Sequence, residues 1–268
     1  MNSTEEFLNF AKDVALESGK IMMQYFGKDG ISDYKSDDSI VTIADKEVNS
    51  HVIKRVRDAY PTHAVEGEEE SYVKAGATHI WVCDPIDGTI PFSTRIPVAM
   101  FSLALVINGE LEIAVTYDPF FGDLYHATKG GGAYRNDKRI TVNNIKLDDI
   151  SCIGSQSSRP ASLSLLSNIY EKLPVKNYTG LGSVVRASMA IADGLYTFYI
   201  SYTKPSTVCF IDMAALILIV EESGGKVTDM HGNRIIHGKE FEGKIISNGI
   251  AHDELQRAIS ENCLKSVD

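Results

Sequence analysis

The chain has 268 residues, 44% hydrophobic and 23% charged, the balance of an ordinary globular protein with room for a substantial core. Its 36 acids against 26 bases leave a formal net charge of −10, which argues against binding to nucleic acid or to an anionic membrane surface. Four scattered cysteines (83, 152, 209 and 263), an acidic start M-N-S-T-E-E-F and a longest apolar run of 8 residues (213–220) together predict a cytoplasmic protein with reduced thiols and no membrane span.

In chain order, Phe7, Phe10, Ala11, Val14, Ile21, Met22, Tyr25 and Phe26 fall at helical spacing and predict a helix over 5–27, ended by Gly27. Val48, Val52, Ile53 and Val56 predict a second over 44–59, stopped before Pro61. Residues 80–83 read as a buried strand. From 98 to 124 the chain is apolar and β-branched, with Asn108-Gly109 as a hairpin turn. A further hairpin region spans 124–140, with 129–132 and Asn136-Asp137 as turn material. Strands at 150–155, 175–178 and 195–200 then alternate with helices at 161–173 and 182–194. An apolar helix over 213–220 ends at Gly224-Gly225, and strand character resumes at 226–229. A meander followed by β-α alternation predicts an α/β (α+β) protein in two layered halves, 1–145 and 146–268.

The stretch I-W-V-C-D-P-I-D-G-T at 80–89 puts two acids, Asp84 and Asp87, where an apolar run leaves the core. Carboxylates that close repel and lose hydration unless a cation or proton lies between them. Glu68 in G-E-E-E, Asp45 after V-T-I-A and Asp212 before the 213–220 helix bring the acids at element ends to five. A solvated loop or a helix cap accounts for each separately, but together they suit Mg²⁺, which takes oxygen ligands and keeps several waters. Two ions about 3.5–4 Å apart can share a bridging carboxylate. Asp84 is the natural bridge and Asp87 closes on the second ion. Gly88 and Thr89 begin a helix whose first amides suit a phosphate oxygen, and the Thr89 hydroxyl can orient a water. The acid spacing of three excludes the D-x-D-G-T aspartyl-phosphate phosphatases, and the 129–132 glycines lack the G-K-[ST] of a nucleotide loop.

These residues resemble the inositol monophosphatase family of lithium-sensitive, Mg²⁺-dependent sugar phosphatases. The carriers are D-P-I-D-G-T at 84–89, G-E-E at 67–69, V-T-x-x-D at 41–45, D-M-A-A at 212–215 with E-S-G-G at 222–225, and K-G-G-G-A-Y with Asn136. The resemblance implies an α-β-α-β-α layered sandwich, commonly dimeric. It implies two or three Mg²⁺ ions, replaceable by Mn²⁺ and inhibited by Li⁺ or Ca²⁺, held by Glu68, Asp84, the Ile86 carbonyl, Asp87 and Asp212. Glu68 and Thr89, the latter paired with Asp45, would position the attacking water. Asp87, Gly88, Thr89, Gly182, Ser183, Arg186 and Asp212 would meet a small phosphorylated sugar, polyol or nucleotide. Three departures bear on substrate: Thr89-Ile90-Pro91-Phe92 replaces D-G-T-x-N-F, Ile211 replaces a Trp, and 195–200 lacks the Glu of inositol-specific members. Arg186, like Arg159 or Lys204, could reach a second phosphate or, in Arg186's case, pair with a neighbouring acid. The leading substrate is myo-inositol 1-phosphate, while the missing Glu and the presence of Arg186 keep fructose 1,6-bisphosphate and adenosine 3′,5′-bisphosphate close behind. A non-catalytic binding protein on this fold is the rival class.

Overall fold

Helix α1 (Thr4–Tyr25) begins where the Ser3 hydroxyl accepts the Glu6 amide, and ends with Phe26 bonding the Met22 carbonyl before Gly27 turns the chain at φ 81°. The computed structural model describes residues 3–28, 31–34, 40–156, 166–167, 169–207 and 209–263. Strands β1 (Ile31–Tyr34) and β2 (Ile40–Thr42) form a small antiparallel ribbon leading into helix α2 (Ile43–Ala59). Thr42, not Asp45, is the N-cap of α2, and Asp45 completes a capping box from the third helical position.

A seven-stranded sheet follows in the order β3 (Ala64–Gly67), β4 (His79–Asp87), β5 (Met100–Ile107), β6 (Glu110–Asp118), β7 (Asp123–Thr128), β8 (Gly132–Arg135), β9 (Lys138–Arg139). Only β3 and β4 run parallel, and the rest is the meander expected from the sequence. The strand alternation divides its side chains. Trp81, Cys83, Phe101 and Leu103 pack on α1 and α2, whereas Val82, Met100 and Ala104 face the interior of the molecule. Each large apolar side chain buried there stabilises the fold by about 1.5–3 kcal/mol.

That interior holds two helices, α4 (Val184–Ala192) and α5 (Phe210–Glu222), which follow the short α3 (Thr89–Ser93). Helix α5 is apolar all round because a second sheet covers its other side. This five-stranded sheet runs β11 (Asn177–Thr179), β10 (Ile153–Gln156), β12 (Phe198–Ser201), β14 (Lys244–Ser247), β13 (Lys226–Thr228). Its Tyr199 and Ile246 join α4 and α5, while Phe198, Ile200 and Ile245 pack outward with Leu255 and Ile259 of helix α6 (His252–Cys263). The layers are thus α-β-α-β-α.

Differences from the sequence-based expectation are local. The ribbon β1–β2, strand β14 and helix α6 lie in stretches to which no element was assigned, and β11 starts two residues later than expected. Of the helix expected at 161–173, residues 166–167 and 169–170 are helical, while 161–165 and 168 lie outside the described residues. No helix among the described residues is long and apolar enough to cross a membrane. Cys83, Cys152 and Cys209 are free thiols.

Two of the motif pairs are explained by one contact. The Glu222 carboxylate accepts the amides of Gly130 and Gly132 at 2.6 and 2.8 Å, so the end of α5 fastens the turn between β7 and β8. Asn136 fixes the following turn, donating to Asp123 and accepting from the Leu124 amide, both at 2.9 Å.

Candidate active site

Strand β4 does not end where its apolar run does. It continues through Asp84, Pro85 and Ile86 to Asp87, where the sequence alone suggested that the strand had ended. Asp84 lies opposite Ser102 and Asp87 opposite Met100, so β4 carries one residue more than β5 across this interval. Such a bulge accommodates Pro85, which has no N–H for the ladder, and re-aims the acids that flank it. Both carboxylates are buried, and the Ile86 amide donates to Asp84 Oδ1 at 3.0 Å.

Asp87 is held from the far half of the chain. Its Oδ2 accepts the Ser183 hydroxyl and, at 2.8 Å, the Val185 amide. The same Ser183 hydroxyl caps α4 by accepting the Arg186 amide at 3.0 Å. Gly88, at φ 94°, allows this approach: a Cβ there would lie 3.1 Å from Ser183 Cβ and 3.3 Å from the Gly182 carbonyl. Thr89 donates to the Ile86 carbonyl at 3.2 Å and reaches Asp45 Oδ1 at 3.5 Å. Asp45 is oriented by the Thr42 amide and hydroxyl, which donate to its Oδ2 at 2.7 and 2.5 Å. Glu68 follows β3, with its amide on the Cys83 carbonyl at 3.1 Å. Asp212 stands in the first turn of α5, two residues inside its start and not at the cap, which is Cys209.

The five acids, drawn from α2, β4, α5 and the loop after β3, act on one another. Burial lifts the Asp84 carboxyl well above the carboxylate range, and the charges of Glu68, Asp87, Asp212 and Asp45 add to the lift. Burial raises Asp87 to about 7 against the opposing Ser183 hydrogen bond, with Asp212 raising it further. Asp45 is likewise pushed by burial to about 7, its bonds to Thr42 opposing and the charges of Glu69 and Glu68 adding. Among the described residues no three His, Cys, Asp or Glu side chains are already drawn into a ligand set around one point. The donors that share this charge are nevertheless all oxygens and short of positive charge. That fits a hard divalent cation, which needs only a few carboxylates and completes its shell with water and substrate oxygens.

Arg186 leans on Asp118, 3.7 Å away, with its guanidinium over the Phe121 ring at 5.9 Å. Of the two readings open to it, this contact matches pairing with a neighbouring acid. Lys204 is exposed beyond β12, and Arg159 lies outside the described residues. The histidines serve the fold: His63 accepts the Trp81 indole N–H, and the buried His252 lies between the Thr228 and Ser247 hydroxyls. Sequence reasoning overlooked Lys244, buried at the start of β14, because no strand was assigned there.

This layered fold, with a phosphate-suited glycine turn beside converging carboxylates, defines a phosphoric monoester hydrolase. The chain belongs to the inositol monophosphatase family, whose sequence profile matches residues 3–265. It is 30% identical over 257 residues to a fructose-1,6-bisphosphatase/inositol-1-monophosphatase of Thermotoga maritima, covering 95% of this chain and 96% of that protein. It is 34% identical over 238 residues to a putative Nus factor SuhB of Neisseria meningitidis serogroup B, covering 84% and 88%. The solved structure of a Thermotoga maritima IMPase superposes with a TM-score of 0.85 at 28% identity, covering 97% of this chain and 99% of that one.

Proposed function

We propose that the protein is a Mg²⁺-dependent phosphomonoesterase that hydrolyses a sugar or polyol phosphate by direct attack of water. The observation that carries this is the mutual charge of Asp84, Asp87, Asp212, Glu68 and Asp45, with Gly88 and Thr89 directly following Asp87 in the chain. Glu68, Asp84, the Ile86 carbonyl, Asp87 and Asp212 would hold two or three ions, with Mn²⁺ as a substitute and Li⁺ or Ca²⁺ as inhibitors. When bound, the ions would polarise the phosphate and ease deprotonation of a water. Thr89, braced by Asp45, and Glu68 orient that water through their oxygens. The Gly88 and Thr89 amides, at a helix start where intrahelical acceptors are lacking, take a phosphate oxygen. Ser183 and Val185 fix the Asp87 carboxylate, and direct attack of water leaves no covalent enzyme intermediate. We further propose a cytoplasmic homodimer, myo-inositol 1-phosphate as the leading substrate, and fructose 1,6-bisphosphate as the next. The names of the Thermotoga relative support both compounds.

The test is phosphate release from inositol 1-phosphate, fructose 1,6-bisphosphate and adenosine 3′,5′-bisphosphate, each with Mg²⁺ and with EDTA. Release that EDTA abolishes supports the reading. Its absence with every compound favours the binding-protein class. Ser183→Ala probes the support of Asp87. Losing an oriented second partner of a ligand typically costs 10–100-fold in activity or metal affinity, so kcat/KM should fall by about that factor. The lost helix cap should cost about 1 kcal/mol, read from urea unfolding.

A further inference from the structure

His237 joins two elements that each carry one of the acids. Its Nε2 lies 2.7 Å from Glu66 Oε2, a contact that spans 171 residues of sequence. A carboxylate only accepts, so the imidazole is the donor. The same ring lies against Phe210, with centroids 5.2 Å apart and planes at 60°. Glu66 stands on β3 two residues before Glu68, and Phe210 opens α5 two residues before Asp212.

The register gives the contact its direction. Glu66 pairs with Val82 across β3 and β4, and Val82 packs in the interior layer, so Glu66 faces the layer that holds α5. From the other side, Asn49 of α2 fixes the loop after β3. Its Nδ2 donates to the Glu70 carbonyl at 2.9 Å, and its Oδ1 accepts the Glu69 amide at 3.4 Å. The loop carrying Glu68 is thus tied to an outer helix by Asn49, and its stem to the start of α5 through His237.

The segment between β13 and β14 that carries His237 has anchors of its own. Ile235 and Phe241 are buried in the interior cluster, and the Ser206 and Phe241 backbones exchange hydrogen bonds at 3.2 and 3.4 Å. The Glu66 contact is therefore not needed to place this segment. What it adds is a fixed distance. The charges of Glu68 and Asp212 both act on Asp84, one from the seven-stranded sheet and one from α5. Like charges converging in this way push their carriers apart, and a strut between the carriers resists that before any cation binds.

We propose that His237 is a positioning residue for metal binding, which sets the separation of Glu68 and Asp212 by bridging Glu66 and Phe210. The inference rests on the phosphomonoesterase reading of these acids and names the group that prearranges them. His237 is not itself a ligand.

The test measures the Kd of Mn²⁺ alone, by calorimetry and by loss of the free-ion electron paramagnetic resonance signal. It compares wild type, His237→Ala, Glu66→Ala, Glu66→Gln and the double alanine variant, with thermal melts to establish that each is folded. Arg234→Ala, which removes the same segment's exposed contact with Glu110 at 3.4 Å, is the control. His237→Ala should weaken Mn²⁺ binding by about tenfold, the lower end of what losing a group that orients a ligand costs. Glu66→Ala should match it, and the double variant should be no weaker than either single one, because both remove the same contact. Glu66→Gln loses the charge but keeps an acceptor for Nε2, so it should stay within about threefold of wild type, as should Arg234→Ala. A folded His237→Ala variant that binds Mn²⁺ like wild type overturns the proposal. So does Glu66→Gln as weak as Glu66→Ala, which would make the effect one of charge alone, or Arg234→Ala as weak as His237→Ala. Mn²⁺ binding in the expected pattern without phosphate release from any compound overturns the hydrolase reading and leaves this one standing. Metal-dependent release with an unmoved Kd has the converse meaning, and a wild type that binds no Mn²⁺ overturns both.

Discussion

Replacing Asp84 with Asn should nearly abolish phosphate release while raising the melting temperature of the metal-free protein. The two effects have one cause. Asp84 is buried at 2% exposure and feels the charges of Glu68, Asp87, Asp212 and Asp45, so without a cation its ionised form opposes folding. Asn keeps the shape and the acceptor for the Ile86 amide, but removes the charge. Relief of a buried, uncompensated carboxylate of this kind should stabilise the apoprotein by about 1–2 kcal/mol, a shift of about 2–8 °C for a chain of this size. Activity moves the other way, because metal ions supply several kcal/mol of transition-state stabilisation and each 1.36 kcal/mol is tenfold in rate. A loss of about 10³-fold or more in kcat is therefore expected. Melting curves in EDTA and in Mg²⁺ check both halves: Mg²⁺ should raise the wild-type melting temperature and raise that of Asp84→Asn much less. A variant that melts lower than wild type in EDTA, or keeps its rate, would remove Asp84 from the ion site.

The same residue shows how far the sequence could be read. An apolar strand followed by D-P-x-D-G-T was visible as a pair of acids at a strand end. The bulge that keeps both inside β4 was not, because it depends on the register against Ser102 and Met100 of the neighbouring strand. The capping box of α2 was partly legible: Asp45 stood out, but an Asp near a helix start does not say whether it is the cap or its reciprocal partner. Here Thr42 takes the first role. Glu222 and the 129–132 glycines were recognisable as separate motifs, while their mutual hydrogen bonds span 90 and 92 residues of sequence. Arg186 was left between two partners because Asp118 sits on a distant hairpin. Lys244 carried least signal of all. It begins a four-residue strand buried on both faces, where alternation is hidden and a lysine reads as a loop residue.

Gly88→Ala should damage both the stability and the activity of the protein. Two penalties combine. The residue sits at φ 94°, where an L side chain costs roughly 1–2 kcal/mol. The new Cβ would also press on Ser183 Cβ at 3.1 Å, the Gly182 carbonyl at 3.3 Å and Ala99 Cα at 3.4 Å. Gly76→Ala separates the penalties, because Gly76 has φ 72° but its Cβ would meet nothing within 4 Å. That control should lose about 1 kcal/mol and keep its activity, since the turn it occupies is remote from the acids. Gly88→Ala should lose about 2–3 kcal/mol, and the Ser183 hydroxyl should be driven from Asp87 by the shift that relieves the contact. A displacement of a few tenths of an ångström moves the amides meant for the phosphate together with the Asp87 carboxylate, and misplacement on the scale of 1 Å costs about 10²-fold in rate. Urea unfolding and kcat/KM for both variants decide the matter. Equal behaviour of the two would mean that only backbone conformation matters at position 88, and the close approach of Gly88 to Ser183 would then have no part in holding the site together.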